Sequence, residues 1–204
     1  SGCTATDQVT VTVDQQVPTA DAGNDFTKDC AQNTSGGTIG TSGSSSNTYS
    51  WDNGAGTNAT ANVNPTVTTS YTLTVTDNSN GCTATDDIVV TVDTDIPTQA
   101  NGAAHTAGPD WINPDDMCGV GVKQITGSPA IAGQQTVSWS GIATNGLGNL
   151  GQPGAETVTV YPSSPSSMGT PLTLTYTVTD QTNGCTVSDN MVVNFIQPSV
   201  SVSN

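Results

Sequence analysis

The sequence predicts an all-β chain of tandem two-layered sandwich domains, on three observations. A cysteine-led, β-branched run is written three times, beginning at Gly2-Cys3-Thr4-Ala5-Thr6-Asp7, Gly81-Cys82-Thr83-Ala84-Thr85-Asp86 and, more loosely, Gly184-Cys185-Thr186-Val187-Ser188-Asp189. Recurrence of one such run along a chain marks tandem domains, each ending in the same strand. Each run then alternates: Val9, Val11 and Val13; Ile88, Val90 and Val92; Met191, Val193 and Phe195. A period of two sends one apolar set to a core and leaves a hydroxyl-rich face outside. Third, two of the runs follow another alternating stretch, Thr72 to Asp77 and Thr173 to Asp180, across Asn80-Gly81 or Asn183-Gly184. Asn-Gly tolerates positive φ, so each pair reads as a β-hairpin that closes a domain.

Residues 1–17 are therefore expected to be the closing strand of a preceding repeat plus a linker. Residues 18–97 form a first domain, with Pro18 at its start and a Gly/Ser-rich stretch after Cys30. Tyr49-Ser50-Trp51 is its short mid-domain strand, where immunoglobulin-like sandwiches place a core tryptophan. Residues 98–197 form a second domain on the same frame, with Thr136-Val137-Ser138-Trp139-Ser140 as its tryptophan strand. Its greater length reads as loops: an insert from Gly108 to Met117 before Cys118, and a Pro/Ser-rich loop from Pro162 to Ser167. Residues 198–204 read as a linker to a following repeat, and no helix of ordinary length is visible.

The chain carries two Lys, no Arg and 17 acids, for a net charge of −15. Such a field repels phosphate backbones and anionic lipid, so neither nucleic acid nor membrane insertion is expected. Apolar residues make up 33% and aromatics 4%, a lean supply, but their period-two order favours folded β-domains over disorder.

Five cysteines without a Cys-x-x-Cys read as disulfides of an oxidising compartment rather than a zinc site. The economical pairing stays within domains, Cys30 with Cys82 and Cys118 with Cys185, leaving Cys3 to the preceding repeat, although spacing leaves other connectivities open.

His105 is the only histidine; no Ser/His/Asp grouping assembles around it by spacing, and it reads as an ordinary loop residue. With no nucleophile elbow, zinc spacing or phosphate loop, the chain is not expected to be an enzyme. Asp14, Asp21, Asp25, Asp93 and Asp95 flank the two predicted linkers and are candidate calcium ligands, since oxygen donors at a junction suit Ca²⁺. Against this, there is no Asp-x-Asp-x-Asp-Gly loop, and outward Asp also protects edge strands. Trp111 beside Asp110, Asp115 and Asp116 is a candidate carbohydrate platform or ion site. An intramolecular amide bond would need Lys123, Asn194 and Glu156 together, yet the alternation that buries Val193 and Phe195 turns Asn194 outward.

Tyr71-Thr72-Leu73-Thr74-Val75-Thr76-Asp77 followed by Asn80-Gly81-Cys82 and a Val/Thr strand, with Ala20-Asp21-Ala22-Gly23-Asn24-Asp25 at the opening, resembles the PKD-like and immunoglobulin-like repeats of large Bacteroidota cell-surface adhesins. These include gliding-motility adhesins exported by type IX secretion. The resemblance implies tandem immunoglobulin-like/PKD-like β-sandwich domains in an extracellular, cell-surface protein. The leading expectation is a non-catalytic structural and adhesive segment, a disulfide-stapled spacer in an adhesin or filament. Its partners would be neighbouring repeats, surface glycans or other copies of itself. The alternative is a pair of carbohydrate-binding modules attached to a secreted enzyme, with Trp111 as the contact. Strand exchange, with residues 1–17 completing a neighbour, is a third arrangement.

Overall fold

A computed structural model describes residues 1–111, 122–142, 147–149, 154–162 and 169–195. It is all-β over those residues, in twelve strands: β1 (Phe26–Lys28), β2 (Gly37–Ile39), β3 (Asn47–Trp51), β4 (Ala61–Val63), β5 (Thr69–Asp77), β6 (Thr83–Val92), β7 (Lys123–Thr126), β8 (Gln135–Ser140), β9 (Leu147–Asn149), β10 (Thr157–Pro162), β11 (Leu172–Asp180) and β12 (Thr186–Val193). Two compact units result. The first comprises Ser1–Lys28 and Asn33–Asp93; the second takes Asp29–Gln32 and the chain from Thr94 onward.

In the first unit the closing hairpin is β5 and β6, antiparallel, with Tyr71 opposite Ile88 and Val75 opposite Ala84. β3 joins the other edge of β5, and β1 runs parallel to β6, giving the order β1-β6-β5-β3. The second layer is the short pair β2-β4. Alternation does what the sequence expects: Tyr71, Leu73 and Val75 of β5 and Ile88 and Val90 of β6 face inward, meeting Ile39 and Val63 of the smaller layer and Trp51 of β3. Each such side chain removed from water contributes roughly 1.5–3 kcal/mol. This is an immunoglobulin-like sandwich.

The second unit repeats the frame. β11 and β12 form its closing hairpin, β8 lies beside β11, and the facing layer is β7-β10-β9. Leu174, Tyr176 and Val178 of β11 and Met191 and Val193 of β12 pack against Ile125, Val158 and Val160 of the facing layer. On the outer face Thr177 and Ser188 share a hydrogen bond and Thr175 donates to Asn190, the hydroxyl ladder that the alternation calls for. The additional strand β9 lies in the stretch between β8 and β10, so part of the extra length is a strand in the facing layer and not loop alone.

Tyr176 stands at the centre of this unit, its ring 4.8 Å from that of Trp139 and its hydroxyl donating to Ser128 O. Burial, with the Glu156 carboxylate second, raises its phenol from the ordinary 10.0 to about 12. In this window the unfolded chain has lost the proton while the folded chain retains it, so folding stability is intact below pH 10 and declines as pH rises toward 12. Alkaline denaturation midpoints should therefore fall more steeply for the native chain than for Tyr176→Phe, and parallel curves would contradict the assignment.

Residues 1–16 are exposed and carry no strand. Val9, Val11 and Val13, expected on a strand, are 85%, 78% and 70% exposed, because the alternating run has no sheet partner among the described residues.

Candidate functional site

The element common to both units is an acidic clamp that ties the opening segment to the closing strand. In the first unit the Asp86 carboxylate on β6 accepts from Ala22 N at 2.8 Å, and Asp25 returns the contact by accepting from Val89 N, both across 64 residues. In the second, Asp189 accepts from Ala107 N and Asp110 accepts from Val192 N, both across 82 residues. Gly23 and Gly108 take φ of +91° and +89°, a backbone region that side chains rarely enter, so that the opening segment can turn between the two bonds. Equal spans within each unit mean the same motif, Ala-Gly-x-Asp followed by an aromatic, occurs twice: Ala22-Gly23-Asn24-Asp25-Phe26 and Ala107-Gly108-Pro109-Asp110-Trp111.

That equivalence places two members of the expected carbohydrate platform, Trp111 and Asp110, in the opening frame of the second unit. Gly108 to Trp111 is no insert but the opening of the second unit. Trp111 bridges Val193 in parallel, as Phe26 pairs with Val90, and packs on the core beneath the Lys123 ammonium, 3.1 Å from its ring centroid. Asp110 is occupied by Val192 N. Trp111 is partly buried against the core, and Asp110 supplies an acceptor for a strand N–H at the sheet edge. Asp115 and Asp116 lie outside the described residues, as does Cys118.

The calcium candidates are dispersed. Asp25 caps β6, Asp21 accepts from Gly23 N, and Asp14 accepts from Gln16 N. Asp93 and Asp95 have interactions of their own. Among the described residues no three metal-ligating side chains gather. The amide trio is likewise engaged elsewhere: Lys123 covers Trp111, and Glu156 accepts from Ala130 N. The Asn194 carbonyl oxygen is buried rather than outward, since Asn194 N pairs with Trp111 O and draws the residue into the edge contact. His105 is buried at 5% exposure, not an open loop residue; its Nδ1 shares a hydrogen bond with Ser128 Oγ at 2.9 Å. On the first unit a groove of about 370 Å³ is lined by Asp21, Thr41, Ser42, Asn47 and Tyr49.

The disulfide departs furthest from expectation. Cys30 is bonded to Cys185, 155 residues away, and Cys82 is a free thiol. The expected Cys30–Cys82 bridge is thus not formed, and Cys185, now taken by Cys30, is not available to Cys118. The cause is local. Asp29 is buried and its Oδ1 accepts from Ala31 N and Gln32 N, folding Asp29-Cys30-Ala31-Gln32 into a tight turn that presents Cys30. The turn seats on the corner of the β11–β12 hairpin, where Cys30 N donates to Asn183 O at 3.1 Å. Gly184, at φ +70°, leaves room for it: a Cβ there would lie 2.6 Å from the Ala31 methyl.

No family model matches the chain, and no curated protein does. Among solved structures, a SusE-like surface located polysaccharide binding protein from the Bacteroides thetaiotaomicron heparin utilisation locus is 11% identical, with 84% of this chain and 33% of that chain covered, at a TM-score of 0.38. The D00-D0 domain of intimin is 15% identical over 87% of this chain and 98% of that one, at 0.36. Fibronectin(III)-like modules from Clostridium thermocellum are 14% identical over 91% and 97%, at 0.33. The chain also spans only 30% of the zebrafish RET cadherin-like domains it matches, at 0.27. Likeness at this level carries no inference about ligand or activity, and the fold assignment rests on the strand pairing and the two cores described above.

Proposed function

We propose that this chain is a non-catalytic structural and adhesive segment of a long extracellular cell-surface protein, in which sandwich repeats act as disulfide-stapled spacers. The observation that carries it is the duplicated frame: one acidic clamp and one closing hairpin, each built twice. Repetition of a scaffold suits a spacer. The Cys30–Cys185 bond suits an oxidising exterior, and the net charge of −15 suits a solvated surface polymer. Membership of the gliding-motility, type IX-secreted adhesins belongs to the same proposal and rests on the resemblance of the Tyr71–Asp86 stretch.

Labelling of intact producing cells with antibody to this chain tests the setting. Signal equal before and after permeabilisation is expected, and signal only after permeabilisation would sink the reading. Carbohydrate binding keeps one place on the first unit, the hydroxyl-lined groove beside Tyr49. A glycan array probed with the native chain is expected to stay blank; binding abolished by Tyr49→Ala would transfer the assignment to a carbohydrate module.

A further inference from the structure

We propose that the free Cys82 corner is a preformed receptor for a cysteine-bearing turn of the Asp29–Gln32 type carried by another repeat of the same kind, so that successive repeats are cross-tied by disulfides. The inference rests on the reading of this chain as a stretch of repeats, but its physical support is the match between two corners, one filled and one open.

The two corners agree bond for bond. Cys82 N donates to Asn80 Oδ1 at 2.8 Å, and Cys185 N donates to Asn183 Oδ1 at 2.9 Å. Asp77 N reaches Cys82 O and Asp180 N reaches Cys185 O, each at 2.9 Å. Asp77 accepts from Ser79 N as Asp180 accepts from Thr182 N. The Ser79 hydroxyl also donates to Asp77, and these bonds hold that carboxyl below its ordinary 3.8. Asn80 Nδ2 donates to Gln16 O, and Asn183 Nδ2 donates to Asp95 O, fixing each amide so that its oxygen faces the cysteine N–H.

The corners differ in occupancy. At the second corner Cys30 and Ala31 cover the surface, and Cys185 is fully buried. At the first, Gly81 has φ +74° against +70° at Gly184, yet a Cβ on Gly81 would meet nothing within 4 Å, and Cys82 is half-exposed. The corner thus offers the same backbone carbonyl, the same side-chain-free glycine and the same sulfur, with none of the described residues seated on them. Cys3 supplies an internal contrast, since it is an exposed thiol outside any strand or hairpin.

Closure is an oxidation. The Cys82 thiol and the incoming thiol each lose a proton, an S–S bond forms, and two electrons pass to a thiol–disulfide oxidant such as oxidised glutathione, which leaves as two reduced molecules. Non-covalent seating on the corner raises the effective concentration of the incoming sulfur and so favours this disulfide over one with glutathione.

The test uses the full 204-residue chain carrying Cys118→Ser and a capped peptide of the sequence Lys28–Asn33, equilibrated in a glutathione redox buffer and read by mass spectrometry after digestion. Peptide disulfide at Cys82 is expected about tenfold or more above that at Cys3. A peptide with Ala31→Leu, too large for the surface beside Gly81, should lose the preference while leaving the protein untouched. Equal capture by Cys82 and Cys3, equal capture of both peptides, or a Cys82–Cys82 dimer in place of peptide capture would overturn the proposal. Cell-surface labelling is a separate measurement, so failure of capture and failure of the surface reading are told apart.

Discussion

Replacing Cys185 with alanine is expected to cost the second unit about 5 kcal/mol of folding stability, which the chain-entropy account assigns to a bond spanning 155 residues. Two further losses add to it: the Asp29–Gln32 turn loses its anchor, and Asn183 O loses the Cys30 N–H that satisfies it. For a unit of this size the corresponding drop in midpoint temperature is on the order of 20 °C. Calorimetry of the native chain and of Cys185→Ala reads it directly, with the transition of the second unit moving. The same experiment distinguishes the pairings, because a Cys30–Cys82 bond would be untouched by Cys185→Ala. A non-reducing digest should yield one crosslinked pair of fragments, holding Cys30 and Cys185. Fragments joining Cys30 to Cys82 would reinstate the intra-domain pairing that the spacing favours.

Trp139→Ala should destabilise the same unit by about 3–5 kcal/mol, the range for deleting a large buried aromatic. Trp139 is 5% exposed on β8, opposite Tyr176 in register, with the rings tilted 44° to one another. Its removal opens a cavity against Tyr176, forfeits the aromatic pair, worth about 0.5–1.5 kcal/mol beyond area, and leaves Glu156 O without the indole N–H. Because the two cores share no residue, the transition of the first unit should stay in place. Denaturant unfolding monitored by tryptophan fluorescence checks both statements; a loss under 1 kcal/mol would mean that Trp139 is not the keystone its burial implies.

Much of the fold was legible because its signals are local. Leu73, Val75, Ile88 and Val90 alternate with polar residues over a few positions, and Asn80-Gly81 and Asn183-Gly184 supply the turn chemistry, so the two closing hairpins could be read without any knowledge of their partners. Trp51 and Trp139 were likewise placed on core strands. The opening of the second unit was less legible, because the motif is short and His105-Thr106 replaces Ala20-Asp21. The shared signal is Ala-Gly-x-Asp-aromatic, and all of it but Ala107 lies in the stretch expected to be an insert. Trp111 and Asp110, expected on a surface platform, are each engaged by β12.

By itself, then, the sequence determined the all-β class, the duplication, the hairpin ends and the acidic, cation-poor surface, because strand period, turn propensity and charge are properties of neighbouring residues. Tertiary structure alone decided which sulfur meets Cys30, which carboxylates cap which strands and whether Trp111 faces solvent or core. Those outcomes depend on residues 64, 82 and 155 positions apart reaching one another. A turn presented by Asp29 and a corner left open by Gly184 brought Cys30 to Cys185, although a nearer cysteine was available in the chain.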